Sequence, residues 1–267
     1  MIKFTKAHAY GNDFLYVRAG DVERRALDGL ARELCDRHAG VGADGLILYA
    51  PAPGGATMRL LNADGSRAEV SGNGVRALAA LLLRDDDRPD AAVVIHTEAG
   101  DKRLTRIERQ ASRHTFRAAM GLPRGLRQVS TTAGGESLQL CVMDFGNPQC
   151  IVIGPLPGDE RFRRLGAALE QHALFPRGTN VEFAYVESPE VVRIRIWERG
   201  VGPTMSSGTG SCASLIAAAS FAGASRDAQV VAPGGTQRVD WRDEDVYLTG
   251  WAEVLFDGTW LRPESSY

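Results

Sequence analysis

Ser71-Gly72-Asn73-Gly74-Val75-Arg76-Ala77 returns 136 positions later as Ser207-Gly208-Thr209-Gly210-Ser211-Cys212-Ala213. One Gly-x-Gly turn recurs wherever a strand meets a helix and says little by itself. Here, other pairs keep the same order at nearly the same spacing. Asn62 stands nine residues before Ser71, and Glu198 stands nine before Ser207. Each ends a β-type run, Thr57-Met58-Arg59-Leu60-Leu61 in one case and Val192-Arg193-Ile194-Arg195-Ile196-Trp197 in the other. Gly11-Asn12 answers to Gly146-Asn147, Asp44 to Asn180, and Glu98-Ala99-Gly100 to Pro233-Gly234-Gly235. An internal duplication accounts for all of these matches and gives two similar α/β halves.

Working outward, each half opens on strands and a Gly/Asn turn, then a charged helical stretch, Val22–His38 or Asp159–His172. More strands lead to the Ser-Gly-x-Gly turn. That turn opens an Ala/Leu-rich helix, Val75–Leu83 or Ser211–Ala222, apolar nearly all round and therefore expected to be buried. Strands close each half, Ala92–Thr97 with Lys102–Ile107, and Gln229–Ala232 with Gln237–Asp240. The fold class expected is α/β (α+β), with two pseudo-symmetric domains. The first domain spans residues 1–116 and the second 117–251. Trp251–Trp260 has no counterpart in the first half. It reads as an extra strand, so that residues 252–267 return to the first domain.

With 267 residues the chain can fill two domains of ordinary size. Apolar residues at 44% and charged residues at 24% fit a globular protein, and the net charge of −2 carries no basic patch. Nucleic acid and membrane surfaces are therefore not expected partners. The longest apolar run, near Ala77–Leu83, is far shorter than the ~20 residues a spanning helix needs. The N-terminus reads as a strand, and the default compartment is the cytoplasm. The four cysteines, Cys35, Cys141, Cys150 and Cys212, show neither C-x-x-C nor zinc spacing. They are expected to be reduced and buried, and neither metal nor cofactor is expected.

A strand, Ser-Gly-x-Gly, then a buried helix places N–H groups at a helix start, where an anion binds. Two such sites facing each other across the halves could grip one carboxylate, with Ser71 and Ser207 flanking the adjacent carbon. Inverting a Cα–H centre needs one group to take a proton and a second to return one, while the helix ends stabilise the enediolate. Serine before glycine at a helix start is also a common N-cap, so a structural role stands beside the catalytic one. Asparagines at 12, 62, 147 and 180 are likewise common turn formers beside Gly or Pro.

The ordered set of motifs resembles the diaminopimelate epimerases along essentially the whole chain. The runs that carry the resemblance are 8–14 (HAYGNDF), 36–45 (DRHAGVGADG), 62–66 (NADGS), 72–76 (GNGVR), 146–148 (GNP), 178–183 (GTNVEF), 198–200 (ERG) and 208–210 (GTG). The resemblance implies two pseudo-symmetric domains, each with a mixed sheet or barrel wrapped around a central helix, and an active site between them. It implies cofactor-independent epimerisation of LL- to meso-diaminopimelate, in lysine and cell-wall biosynthesis. It gives substrate-binding roles to Asn12, Asn62, Asn147, Asn180, Glu198 and Arg199, and to the backbone at Gly72-Asn73 and Gly208-Thr209. The partner implied is a small diaminopimelate-like amino acid, and a homodimer is compatible with the family.

The sequence departs from the family at the two acid/base positions, where the resemblance implies cysteines and this chain has Ser71 and Ser207. Gln149 stands where the family commonly has histidine. A thiol titrates at about 8.5 and a hydroxyl several units higher, and each unit costs a factor of about ten in available base. A Ser/Ser pair therefore needs an activating neighbour. His8, His38, Glu69 and Asp64 are candidates by sequence proximity. Three functions remain open: an amino-acid epimerase or racemase using serines, a same-fold isomerase or lyase on another small carboxylate, and a catalytically impaired amino-acid-binding homologue. An engineered pair of Cys→Ser changes is also compatible with the sequence.

Overall fold

In the first strands the apolar residues are buried, and those on alternate faces go to different clusters. Ile2, Phe4, Leu15, Val17, Leu46 and Leu48 pack into one apolar cluster, whereas Ala7, Ala9, Phe14, Tyr16 and Ile47 pack into another. Period-two alternation with both faces apolar means that the sheet is covered on both sides. The structure is a computed structural model, and it describes residues 1–22, 26–68, 70–98 and 100–261. Of the positions singled out above, Glu69, Ala99 and the 262–267 end of the returning segment lie outside the described residues.

The chain forms two compact units, Met1–Ala118 with Trp251–Tyr267, and Ala119–Gly250. The first contains β1 (Ile2–Ala9), β2 (Asn12–Arg18), α1 (Leu27–Cys35), β3 (Gly45–Ala52), β4 (Gly55–Asn62), β5 (Arg67–Ala68), α2 (Gly72–Leu82), β6 (Ala92–Thr97), β7 (Gly100–Gln110) and β8 (Arg113–Ala119). The second contains β9 (Arg124–Ala133), β10 (Glu136–Asp144), β11 (Pro148–Ile153), α3 (Asp159–Glu170), β12 (Asn180–Ser188), β13 (Val191–Glu198), β14 (Gly202–Thr204), α4 (Gly208–Phe221), β15 (Asp227–Ala232) and β16 (Gly235–Trp241). The last strand, β17 (Val246–Trp260), starts in the second unit and ends in the first. It starts five residues earlier than its apolar pattern indicates, because Val246–Thr249 already pair with β16.

In the first unit the pairings run β1–β2–β3–β4–β6–β7–β8–β17 and return to β1, a closed ring of mixed strands. Helix α2 sits in the cluster on one face, and α1 in the cluster on the other. The second unit repeats the order as β9–β10–β11–β12–β13–β15–β16–β17. Backbone bonds from Met120 N–H to Val246 O (2.8 Å) and Val246 N–H to Gly121 O (3.3 Å) bring it back to its start. Here α4 packs in one cluster and α3 in the other. The duplication extends to register, with Asn180 answering to Gly45, one residue beyond the Asp44 that the spacing indicates. The parallel pair β2/β3 joins Phe14 to Gly45, and the parallel pair β11/β12 joins Gln149 to Asn180.

Helices α2 and α4 begin at Gly72 and Gly208, earlier than the apolar pattern alone indicates, because a serine cap sets each start. Of the helical stretch expected over Val22–His38, residues 23–25 lie outside the described residues, and α1 ends at Cys35, before the expected His38. The chain turns at Asp36, whose carboxylate accepts the N–H groups of His38 and Ala39, while Leu34 O accepts those of Val41 and Gly42. All four cysteines are buried and unbridged. Among the described residues no helix is long and apolar enough to cross a membrane.

Leu78 lies on α2 with no exposed surface, at the centre of the first unit's ring. Leu78→Ala is expected to cost about 2–5 kcal/mol of stability through lost burial and the cavity left behind. Urea titration should show a lower midpoint with an unchanged slope.

Candidate functional site

Each serine caps the helix that follows it. Ser71 Oγ accepts the Gly74 N–H at 3.1 Å, and Ser207 Oγ accepts the Gly210 N–H at 3.2 Å. The capping role is thus real in both halves. It also has a chemical consequence. An N–H donated to the hydroxyl oxygen at the positive end of a helix dipole favours the deprotonated form of that oxygen. Both glycines lie close against the strands: a Cβ on Gly74 would lie 2.8 Å from Ile47 Cδ1, and one on Gly210 would lie 2.4 Å from Glu182 Oε1, so a side chain there would displace those side-chain ends.

Around Ser71 the structure gathers Asn12, Asn73 and a chain of charges. Asn73 Nδ2 donates to Asn12 Oδ1 at 3.3 Å, and Asn12 Nδ2 donates to Asp44 Oδ2 at 2.7 Å. Arg37 bridges Asp13 and Asp44, both at 2.8 Å, and Lys6 meets Asp13 at 3.0 Å. Burial works to raise the Asp13 carboxyl, but Arg37 and Lys6 outweigh it and hold it below its ordinary value. Asn62 lies at the exposed end of β4, where its Nδ2 donates to Ser66 Oγ at 3.0 Å and its N–H to Ser66 O at 2.8 Å. Its recorded contacts are those of a turn residue.

Around Ser207 the content is different. The partly buried Glu198 carboxyl lies beside it; burial pushes that carboxyl up and the neighbouring Ser207 hydroxyl pulls it back. Asn180 Oδ1 accepts the Arg199 N–H at 2.9 Å, and the exposed Arg199 side chain donates to Arg177 O at 3.3 Å. Asn147 Nδ2 donates to Thr209 Oγ1 at 3.5 Å, repeating the Asn73–Asn12 contact of the other half. Glu198 therefore stands beside Ser207, whereas the sequence points to it only as a substrate contact.

Of the proposed activators, Glu69 lies outside the described residues and two are engaged elsewhere. His8 faces Glu253 at 3.8 Å, and Asp64 accepts from Ser66 at 2.6 Å. Gln149, noted above only as a departure from the family's histidine, and Glu182, not singled out, are both fully buried, and Gln149 lies beside Asn147, Asn180, Thr209 and Glu182. A Gln and a Glu at inward positions of otherwise apolar strands β11 and β12 were the available signal. Among the described residues no group of three or more His, Cys, Asp or Glu side chains could hold a metal ion.

A sequence profile described as diaminopimelate epimerase matches residues 4–124 and 141–255. The chain belongs to the diaminopimelate epimerase family. The diaminopimelate epimerase of Desulforudis audaxviator is 40% identical over 278 aligned positions, covering 98% of this chain and all of that protein. Diaminopimelate epimerase 1 of a Nostoc species is 37% identical, covering 96% of this chain and 99% of its own. A solved structure of a probable proline racemase from Agrobacterium radiobacter shares the fold. Its TM-score is 0.75 at 17% identity, and the match covers 100% of this chain and 94% of that one.

The Asp13 cluster predicts a pH dependence of stability. A carboxyl held below its unfolded value stabilises the fold above that value, about 3.9, and the contribution is lost as pH falls through the folded one. Asp13→Asn removes it. The stability gap between the native and variant proteins should be widest near neutral pH and close on acidification. Urea titrations at several pH values would show this, and a gap constant with pH would refute it.

Proposed function

We propose that the protein epimerises LL- and meso-diaminopimelate by proton transfer at Cα, without a cofactor, with Ser71 and Ser207 as the two acid/base groups. Membership of the family supports the reaction class. The observation that carries the residue assignment is the duplicated half-site: a capping serine at a dipole-bearing helix start, with an asparagine beside the helix start in each unit.

The two serines differ in what they can do. Ser207 has a carboxyl partner in Glu198, whose burial strengthens its hold on a proton. The Ser207 hydroxyl proton passes to Glu198 as Ser207 Oγ takes the substrate's Cα proton. The electron pair of the broken C–H bond moves into the substrate carboxylate as an enediolate. The helix starts at Gly72-Asn73 and Gly208-Thr209 stabilise that charge. Ser71 donates its hydroxyl proton to the opposite face of Cα; Glu198 then releases its proton to water and Ser71 Oγ takes one up, while Ser207 already carries the proton drawn from Cα. The position equivalent to Glu198 is Asn62, an amide that cannot serve as a base. Ser207 is accordingly assigned as the stronger base and Ser71 as the stronger acid. Asn12, Asn147, Asn180 and Arg199 take the distal ammonium and carboxylate of the substrate.

Incubation with each diaminopimelate isomer in deuterated water should show the α-proton NMR signal washing out. Ser71→Ala and Ser207→Ala should each slow wash-out by about 100-fold or more, the usual worth of a positioned acid/base group. Ser71→Cys/Ser207→Cys should accelerate it, because thiols ionise far more readily. Wash-out that persists in both alanine variants would overturn the residue assignment. Silence from the native and double-cysteine proteins alike would overturn the substrate.

A further inference from the structure

Beneath the two capping turns the duplicated halves place different chemistry. Under Gly74 lie Ile47 and Phe14, whose side-chain atoms would sit 2.8 and 3.6 Å from a Cβ there. The register equivalents in the other half, on β12 and β11, are Glu182 and Gln149. The fold is therefore satisfied by an apolar pair at this place, and the second half keeps a carboxyl and an amide instead. Both have no exposed surface. A buried carboxylate without a cation is costly, so such a pair is retained for something other than packing.

The hydrogen-bond geometry indicates how the pair is arranged. The outer end of the Gln149 amide lies 2.6 Å from Asn147 Oδ1 and 3.2 Å from Thr209 Oγ1, and its inner end lies 3.2 Å from both Glu182 oxygens. With Nε2 outward, Gln149 donates to Asn147 Oδ1, and the inner Oε1 requires a donor from Glu182. Only a protonated carboxyl provides one. With Nε2 inward, Gln149 donates to a Glu182 carboxylate, but its Oε1 then confronts Asn147 Oδ1 at 2.6 Å unless Asn147 also turns over. The inward arrangement gains the Asn180 Nδ2 contact at 3.2 Å, which the outward one leaves as donor against donor, at the cost of an unpaired charge in the core. Burial, with Glu198 nearby, pushes the Glu182 carboxyl well up, which supports the outward arrangement. The titratable groups around it are Glu198 on β13 and the Cys150 thiol on β11, and α4 meets it at Gly210. Neither neighbour supplies a compensating positive charge.

We propose that Glu182 is a positioning residue: its carboxyl O–H donates to Gln149 Oε1, Gln149 Nε2 donates to Asn147 Oδ1, and Asn147 Nδ2 is thereby presented as a donor beside Thr209 at the start of α4. Built on the epimerase assignment above, the relay makes Asn147 a ligand for the substrate's carboxylate end rather than for an ammonium. Ionisation of Glu182 at alkaline pH reverses both amides and turns an acceptor toward that carboxylate. Glu182→Gln cannot lose a proton and keeps a donor in place.

The test begins on the free protein. Difference infrared spectra of the native protein against Glu182→Gln at neutral pH should contain a protonated-carboxyl C=O band that the variant lacks. Its absence overturns the proposal. The Gln149 side-chain NH2 signals in NMR should stay fixed from acid to neutral pH, move at alkaline pH, and cease to move in Glu182→Gln. Movement in the ordinary carboxylate range also overturns it. In the exchange assay Glu182→Gln should keep activity near neutral pH and lose the alkaline rise in KM. Gln149→Phe/Glu182→Ile, which copies the first half, should fold with an unchanged circular dichroism spectrum yet raise KM by about tenfold or more, the worth of one charge-assisted hydrogen bond. An unchanged KM in that variant overturns the relay. Failure of the epimerase assignment shows separately, as a native protein with the infrared band intact and no exchange.

Discussion

A helix apolar on every side can be buried within a layer of strands only if its polar start is satisfied there. In this protein a serine does so in each unit, accepting the N–H of the glycine three residues on. That bond sets where α2 and α4 begin and brings the following glycine hard against the strands. It also leaves a hydroxyl oxygen at the positive end of the helix dipole. The packing of Gly74 on Ile47 and of Gly210 on Glu182 follows from it, as does the placing of Asn73 beside Asn12 and of Thr209 beside Asn147.

On that shared frame the two halves have diverged in polarity. The first carries its charge outside the cap, as the Lys6–Asp13–Arg37–Asp44 chain that holds Asn12. The second carries carboxyls against and beneath the cap, with Glu198 on Ser207 and Glu182 under Gly210. The two capping serines therefore stand in unlike surroundings. The amide at Asn62, opposite Glu198 in the duplication, makes the same distinction.

Much of this was legible in the chain. The repeat at 136 residues announced two similar halves, and the all-apolar runs after each Ser-Gly-x-Gly announced buried helices. Both are local patterns that burial imposes directly on sequence. The helix starts were misplaced by three residues because Gly-Asn-Gly and Gly-Thr-Gly have poor helix propensity, and the cap overrides it. The overlong α1 arose from charged residues 36–38, which suit a helix by composition but are claimed by the Asp36 turn.

The sequence by itself determined the duplication, the family resemblance and the pair of serines, since each is written in residues at fixed spacing. Only the tertiary structure decided which neighbours those serines have. The chain offered His8 and Asp64 as neighbours of the serines and Glu198 only as a substrate contact; packing put Glu198 beside Ser207 and the other two elsewhere. Glu182 was one charge in an apolar run until the strand register turned it inward under Gly210. Its cost and its consequence both come from that desolvation, a property of the surroundings that no spacing of residues records.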